Sequence, residues 1–257
     1  MPHDRLERLR TSVTDVQEES RSVIDLLGGQ CACEPHVASC WRASGRDDHA
    51  VATGRGTIEA ALRPALSERG WTPRASGWFT HPVLPGVLGV VALGVASKHS
   101  APGAATATIH VHIRDERLEA AVADVTGWAD QGYKTTTATT SIGYLMPSGR
   151  WYEWDVRPDS VDLVANEMAL AVKQYAEPHV RKLAVDPDAL LVAITASASY
   201  STAHGLVRAV LMLSRTGRRR EAGDLLAARM AQLGDRSDAA ATEERHVGTT
   251  LSEHLNS

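Results

Sequence analysis

The stretch Thr106-Ala-Thr-Ile-His-Val-His-Ile-Arg114 decides the fold class. Ile109, Val111 and Ile113 alternate with Thr108, His110 and His112. A period of two places one set on a buried sheet face and the other on a wetter face. Toward the N-terminus, Trp78 to His81 and Val87 to Ser97 read as further strands, separated by Pro85 and Gly86. Toward the C-terminus, Leu118, Val122 and Val125 mark a short helix. Two more strands follow, Tyr133 to Leu145 and Trp151 to Val156, joined by the turn Pro147-Ser148-Gly149. Short connections favour antiparallel pairing. The expectation is an α+β fold with an antiparallel sheet of about four to five strands packed by helices.

Helical periodicity surrounds this sheet. Ile58, Ala61, Leu62, Ala65 and Leu66 form the apolar stripe of a helix that contains Pro64 and stops at Gly70. Val161, Val164, Met168, Val172, Tyr175 and Ala176 mark a second, with Ser160 as cap and an end or kink near Pro178. Asp186-Pro187 starts a third over Leu190 to Ala198. Two helices joined by Thr216-Gly217-Arg218 make an αα-hairpin that closes at Gly234. No second copy of the hairpin exists, so it is expected to pack on the main domain rather than begin a solenoid. The organisation predicted is an N-terminal helix over 1–29, a Cys-containing linker over 30–56, an α+β domain over 57–200, the hairpin over 201–234 and a frayed tail over 235–257. In the first of these, Leu6, Leu9, Val13, Val16, Val23 and Leu27 recur at heptad spacing with Ser20 interrupting. That pattern suits either a homodimer through residues 4–27 or docking on the chain's own core.

Composition narrows the function classes. The net charge is −4, and 23 of the 27 basic residues are Arg, yet the longest basic run is Arg218-Arg219-Arg220. Duplex binding draws on clustered basic residues, and one Phe, five Tyr and six Trp offer few stacking platforms. Nucleic acid is therefore not the expected partner. The most apolar run, Val83 to Ala96, is broken by Pro85, Gly86, Gly89 and Gly94 and is too short to span a bilayer. Residues 1–29 lack the apolar segment of an export signal. Three cysteines confined to Cys31 to Cys40 make no disulfide framework. A cytoplasmic location without membrane contact follows as the expectation.

The order Ile58-Glu-Ala-Ala-Leu-Arg-Pro-Ala-Leu-Ser-Glu-Arg-Gly-Trp71, then Trp78-Phe79-Thr80-His81, then Ile109-His-Val-His-Ile113 resembles the bacterial family of domain of unknown function 4304. Ser141-Ile-Gly-Tyr-Leu145, the Trp151 to Trp154 strand and Glu177-Pro178 look like its later elements. The resemblance covers about residues 57 to 234 and rests on the order of elements. It implies a cytosolic α+β domain with no established activity. An immunity-type role against a toxin enters only as fold-level analogy.

Three groups of residues could carry chemistry. Cys31, Cys33, His36 and Cys40 lie within ten residues and could complete a tetrahedral zinc shell, or be free thiols in a loop. His110 and His112 sit on one strand face about 7 Å apart, where they could hold a metal with His81 or His99, or simply belong to a polar sheet face beside Thr135, Thr137, Thr139 and Ser141. Trp151, Glu153 and Asp155 share the other candidate surface, an aromatic ring beside two carboxylates suited to a basic protein partner. No G-x-S-x-G elbow, P-loop or dinucleotide fingerprint is present, so no catalytic residue is assigned. The leading expectation is a non-catalytic binding protein. A metal-dependent enzyme or sensor using His110 and His112, and self-assembly through the N-terminal helix, are the alternatives.

Overall fold

The computed structural model describes residues 47–96, 104–197 and 203–256, with side chains of the first helix from Gly54 onward. The compact unit to which they belong is Asp48–Ser257. The N-terminal helix and the residues Cys31, Cys33, His36 and Cys40 lie outside the described residues.

Helix α1 (Asp47–Ser67) leads into β1 (Thr72–Pro73), β2 (Trp78–Leu84), β3 (Val87–Ala96) and β4 (Ala105–Asp115), each strand antiparallel to the one before it. After α2 (Glu116–Thr126), two short strands, β5 (Ala138–Ser141) and β6 (Trp154–Val156), both return to β4. β5 pairs with its C-terminal half, His110 opposite Ser141 and His112 opposite Thr139, and β6 with its N-terminal end, Ala107 opposite Trp154. The fold is α+β, with one antiparallel sheet of six strands.

Side chains of residues directly opposite each other share a face. Phe79, Val91, Val111 and Ile109 belong to the face that, with Ile58, Leu62, Leu66 and Trp71, builds the core. On that face, the position of a Cβ on Gly89 lies 3.1 Å from Val180, so the sheet meets the next helical segment at close range. That segment is α3 (Val161–Ala171), a π-helical turn (Val172–Ala176) and α4 (Glu177–Val185). Pro178 can neither donate to residue i−4 nor avoid its carbonyl. The wider turn just before it absorbs the misfit, so the chain continues as helix instead of stopping. Glu177 there accepts a hydrogen bond from the Trp71 indole at 3.2 Å.

Helices α5 (Pro187–Ala196), α6 (Ala203–Arg215), α7 (Arg219–Leu233) and α8 (Ala239–Asn256) complete the described chain. Asp186 caps α5 through Ala189 N–H, as its position before Pro187 predicts. The α6–α7 hairpin packs on α2, where Arg208 and Glu119 form a buried, two-pronged ion pair.

Four expectations need correction. Residues 47–56 are helical, so the linker is shorter than 30–56. The strand expected over 133–145 shrinks to Ala138–Ser141 between 3-10 turns: Thr137 still donates its N–H to the Ile113 carbonyl, but its hydroxyl, not its carbonyl, accepts from the Asp115 N–H while donating to Glu119, and the ladder ends there. The strand expected from Trp151 begins at Trp154. Residues 239–256, expected to fray, form α8, which buries Ala241, Val247 and Leu251 and pairs Glu244 with Arg229 at 2.8 Å. Ser160 does stand at the N-terminus of α3, but its hydroxyl bonds Arg157 instead of capping. No described helix is long and apolar enough to cross a membrane.

Candidate functional site

The second sheet face carries Trp78 and Thr80 from β2, Val90 and Ala92 from β3, Thr108, His110 and His112 from β4, and Thr139 and Ser141 from β5. β3 presents small side chains here, and this permits rings from its two neighbours to meet above it. Trp78, opposite Ala92, leans across β3 and stacks on His112 at 5.2 Å between centroids. Gly94 serves the same end: a Cβ there would lie 2.8 Å from Thr108 and 3.2 Å from His110 Nε2. The outcome is a row of five rings, Tyr133, Trp78, His112, His110 and Trp151, with successive centroids 6.1, 5.2, 6.4 and 5.8 Å apart. Arg74 lies 5.8 Å over the Tyr133 ring and donates to Thr80.

This row joins two groups that the sequence presents separately. Trp151 precedes β6 and so owes its position to packing, not to strand alternation. Gly143 sets that position. A Cβ at Gly143 would stand 2.3 Å from the Arg150 carbonyl oxygen and 2.6 Å from Tyr152 N, so only glycine lets residues 150–152 lie against the turn. Thr108 then donates to the Tyr152 carbonyl at 3.1 Å, fixing the segment to β4. Trp151 rests one side on His110 and remains 50% exposed, and Tyr152, next to it in sequence, is exposed as well. Glu153 and Asp155 are exposed and make no ion pair among the described residues, with Arg150 and Arg157 flanking them.

Burial works against charging either histidine. Burial pushes His112 down to about 4, with the charge of His110 adding in the same direction, and burial lowers His110. His112 Nδ1 is hydrogen-bonded to the Thr139 hydroxyl, while its Nε2 and the hydroxyl of Ser141 are covered and have no hydrogen-bond partner among the described residues. As metal ligands the pair is poorly placed: two imidazoles on one tetrahedral zinc at 2.0–2.1 Å bring ring centroids to about 5 Å, against 6.4 Å here. His81 belongs to the opposite face, where its Nδ1 meets the Gly70 carbonyl and its ring tilts on Trp71. His99 lies outside the described residues. Among the described residues no three His, Cys, Asp or Glu side chains group to hold an ion.

Sequence reasoning overlooked Tyr133 and Trp78 as parts of this face, because their meeting depends on the register across β3. It also overlooked the Glu119–Arg208 pair. A signal for the pair existed: each is a single charge set in an apolar helical stripe, beside Leu118 and Val122 in one case and within Leu206 to Leu211 in the other. No protein family, curated protein or solved structure matches the chain.

Proposed function

We propose that the chain is a non-catalytic binding protein whose partner is a protein presenting a basic segment to Trp151, Tyr152, Glu153 and Asp155. One observation carries the reading: a half-exposed tryptophan beside two carboxylates without ion-pair partners among the described residues, on a backbone that Gly143 and Thr108 hold fixed. A rigid aromatic anchor binds at low cost in conformational entropy, which is the character of an interface hot spot. Neighbouring carboxylates add steering and preference for cationic partners. The non-catalytic part rests on His112, whose Nδ1 is occupied by Thr139 and whose Nε2 is covered from solvent. An immunity-type role, which enters only by fold-level analogy, is one form such binding takes.

The test is a binary complex reconstituted from the full chain and a co-purifying protein, titrated by calorimetry. Trp151→Ala is expected to weaken it at least about tenfold, roughly 1.4 kcal/mol or more. Glu153→Lys and Asp155→Lys are expected to weaken it further at low salt than at high salt. A complex indifferent to all three substitutions overturns the reading.

A further inference from the structure

A cleft of about 440 Å³ opens at the β5 edge, between α2, α6 and the loop that connects α2 to β5. This surface is separate from Trp151, and its chemistry differs. Glu119 and Arg208 are both buried in its wall. Placing an ion pair out of water costs several kcal/mol per charge unless hydrogen bonds satisfy it. Glu119 is satisfied in full: it accepts from Arg208 Nε at 2.9 Å, Arg208 Nη2 at 2.8 Å and the Thr137 hydroxyl at 2.7 Å. Arg208 is not, since its Nη1 makes no hydrogen bond among the described residues.

The second carboxylate in the wall, Asp130, is likewise claimed. It accepts both Nη atoms of Arg114, at 3.0 and 2.6 Å, and the Gly132 N–H. Arg114 also donates to the Thr135 carbonyl at 2.7 Å, and Gln131 N–H to the Thr135 hydroxyl, so this loop is tied to the sheet and the cleft is preformed. Lys134 lines the cleft, is exposed, and has no ion-pair partner among the described residues. With both of these carboxylates paired, Lys134 is the one lining charge without an ion-pair partner among the described residues. Burial first, and then the Arg208 charge, lower the His204 imidazole, while Glu243 and Glu119 act the other way. Val122, Ala138 and the Trp128 ring, which stacks on His204 at 3.8 Å, supply apolar wall.

We propose that this cleft binds a small organic oxyanion, a carboxylate or phosphate monoester, with its charged end toward Arg208 and Lys134 and its apolar body against Trp128. Volume and mixed lining match small-molecule sites, which run to roughly 300–1,000 Å³ with a few convergent polar groups.

The experiment titrates the full chain with 1-naphthoate, 1-naphthyl phosphate and the neutral 1-naphthamide by calorimetry. At least one anion is expected to bind with Kd below about 1 mM, and the amide at least about tenfold more weakly. The stronger of the two anions tells carboxylate from phosphate. Lys134→Gln, on an exposed side chain, is expected to weaken the anion several-fold and leave the amide unchanged, and Ala123→Phe to obstruct both. Trp151→Ala should leave anion binding intact, which separates this result from the partner surface. The proposal is overturned by no saturation up to about 10 mM, by equal affinity for anion and amide, or by anion affinity unaffected by Lys134→Gln.

Discussion

His112 shows how one side chain couples packing to acidity. Its ring is pressed between Trp78 and the sheet, so charging it means placing a cation where water cannot follow. The unfolded chain takes a proton near 6.5, and the folded chain does so only at about 4. Between those values the unfolded state holds more protons, so stability falls as pH falls through the window and is level above it. The shift corresponds to roughly 3 kcal/mol. His110, His179 and His204, lowered by burial as well, act in the same sense. Urea unfolding of wild type and His112→Asn at pH 7 and pH 4 isolates the His112 share. We expect the stability difference between the two proteins to move in favour of the variant by that amount on acidification, and an unchanged difference would refute the account. The alternation around His112 was legible in the sequence. Its burial was not, because the ring that covers it arrives from a strand two positions away in the sheet.

Among elements, those with strong periodicity match their expected places: β2 to β4, α2, α5 and the α6–α7 hairpin. The failures have physical causes. A run of Thr and Ser after Tyr133 has the β-branched character of a long strand, but only four residues find a partner on β4. Helix α8 was illegible for the opposite reason. Its buried stripe, Ala241, Glu244, Val247, Gly248 and Leu251, contains a small residue, a glycine and a carboxylate, and reads as polar until Arg229 is seen to pair with Glu244. Gly248 lets the two helices approach so closely that a Cβ there would stand 2.6 Å from Met230 Sδ. The helix is thus part of the fold rather than an appendage. Leu251→Ala is expected to cost about 2–4 kcal/mol in chemical denaturation, the range for a fully buried leucine. A frayed tail would give a change near zero.

At the scale of the molecule, Arg208 and Glu119 join α6 to α2 across 89 positions of sequence, the same junction that walls the cleft. Such a pair is weak evidence of net stabilisation, since desolvation offsets attraction, but removing one member strands the other. Glu119→Gln or Arg208→Met alone is therefore expected to destabilise by about 3–5 kcal/mol, and the double variant by clearly less than their sum. Thermal and urea unfolding of the three proteins measures the coupling, and strict additivity would show that the pair does not act as a unit. The α+β class and the antiparallel order could be read from one chain of residues. The cleft could not, because its walls come from three segments that meet only when folded.

The sheet ends in fragments on both sides. On one side the two-residue β1, which includes Pro73, covers only Phe79 and Thr80 of β2, and on the other β5 and β6, four and three residues long, divide the edge of β4. Long free margins invite a second chain to add itself as another strand, whether a recognition peptide or a growing aggregate. Among the described residues neither margin is long and unbroken: Pro73 lies in β1 and Pro82 in the part of β2 that β1 leaves uncovered, and proline lacks a backbone donor. Addition of a further strand at these margins is therefore disfavoured, for a recognition peptide and for a growing aggregate alike.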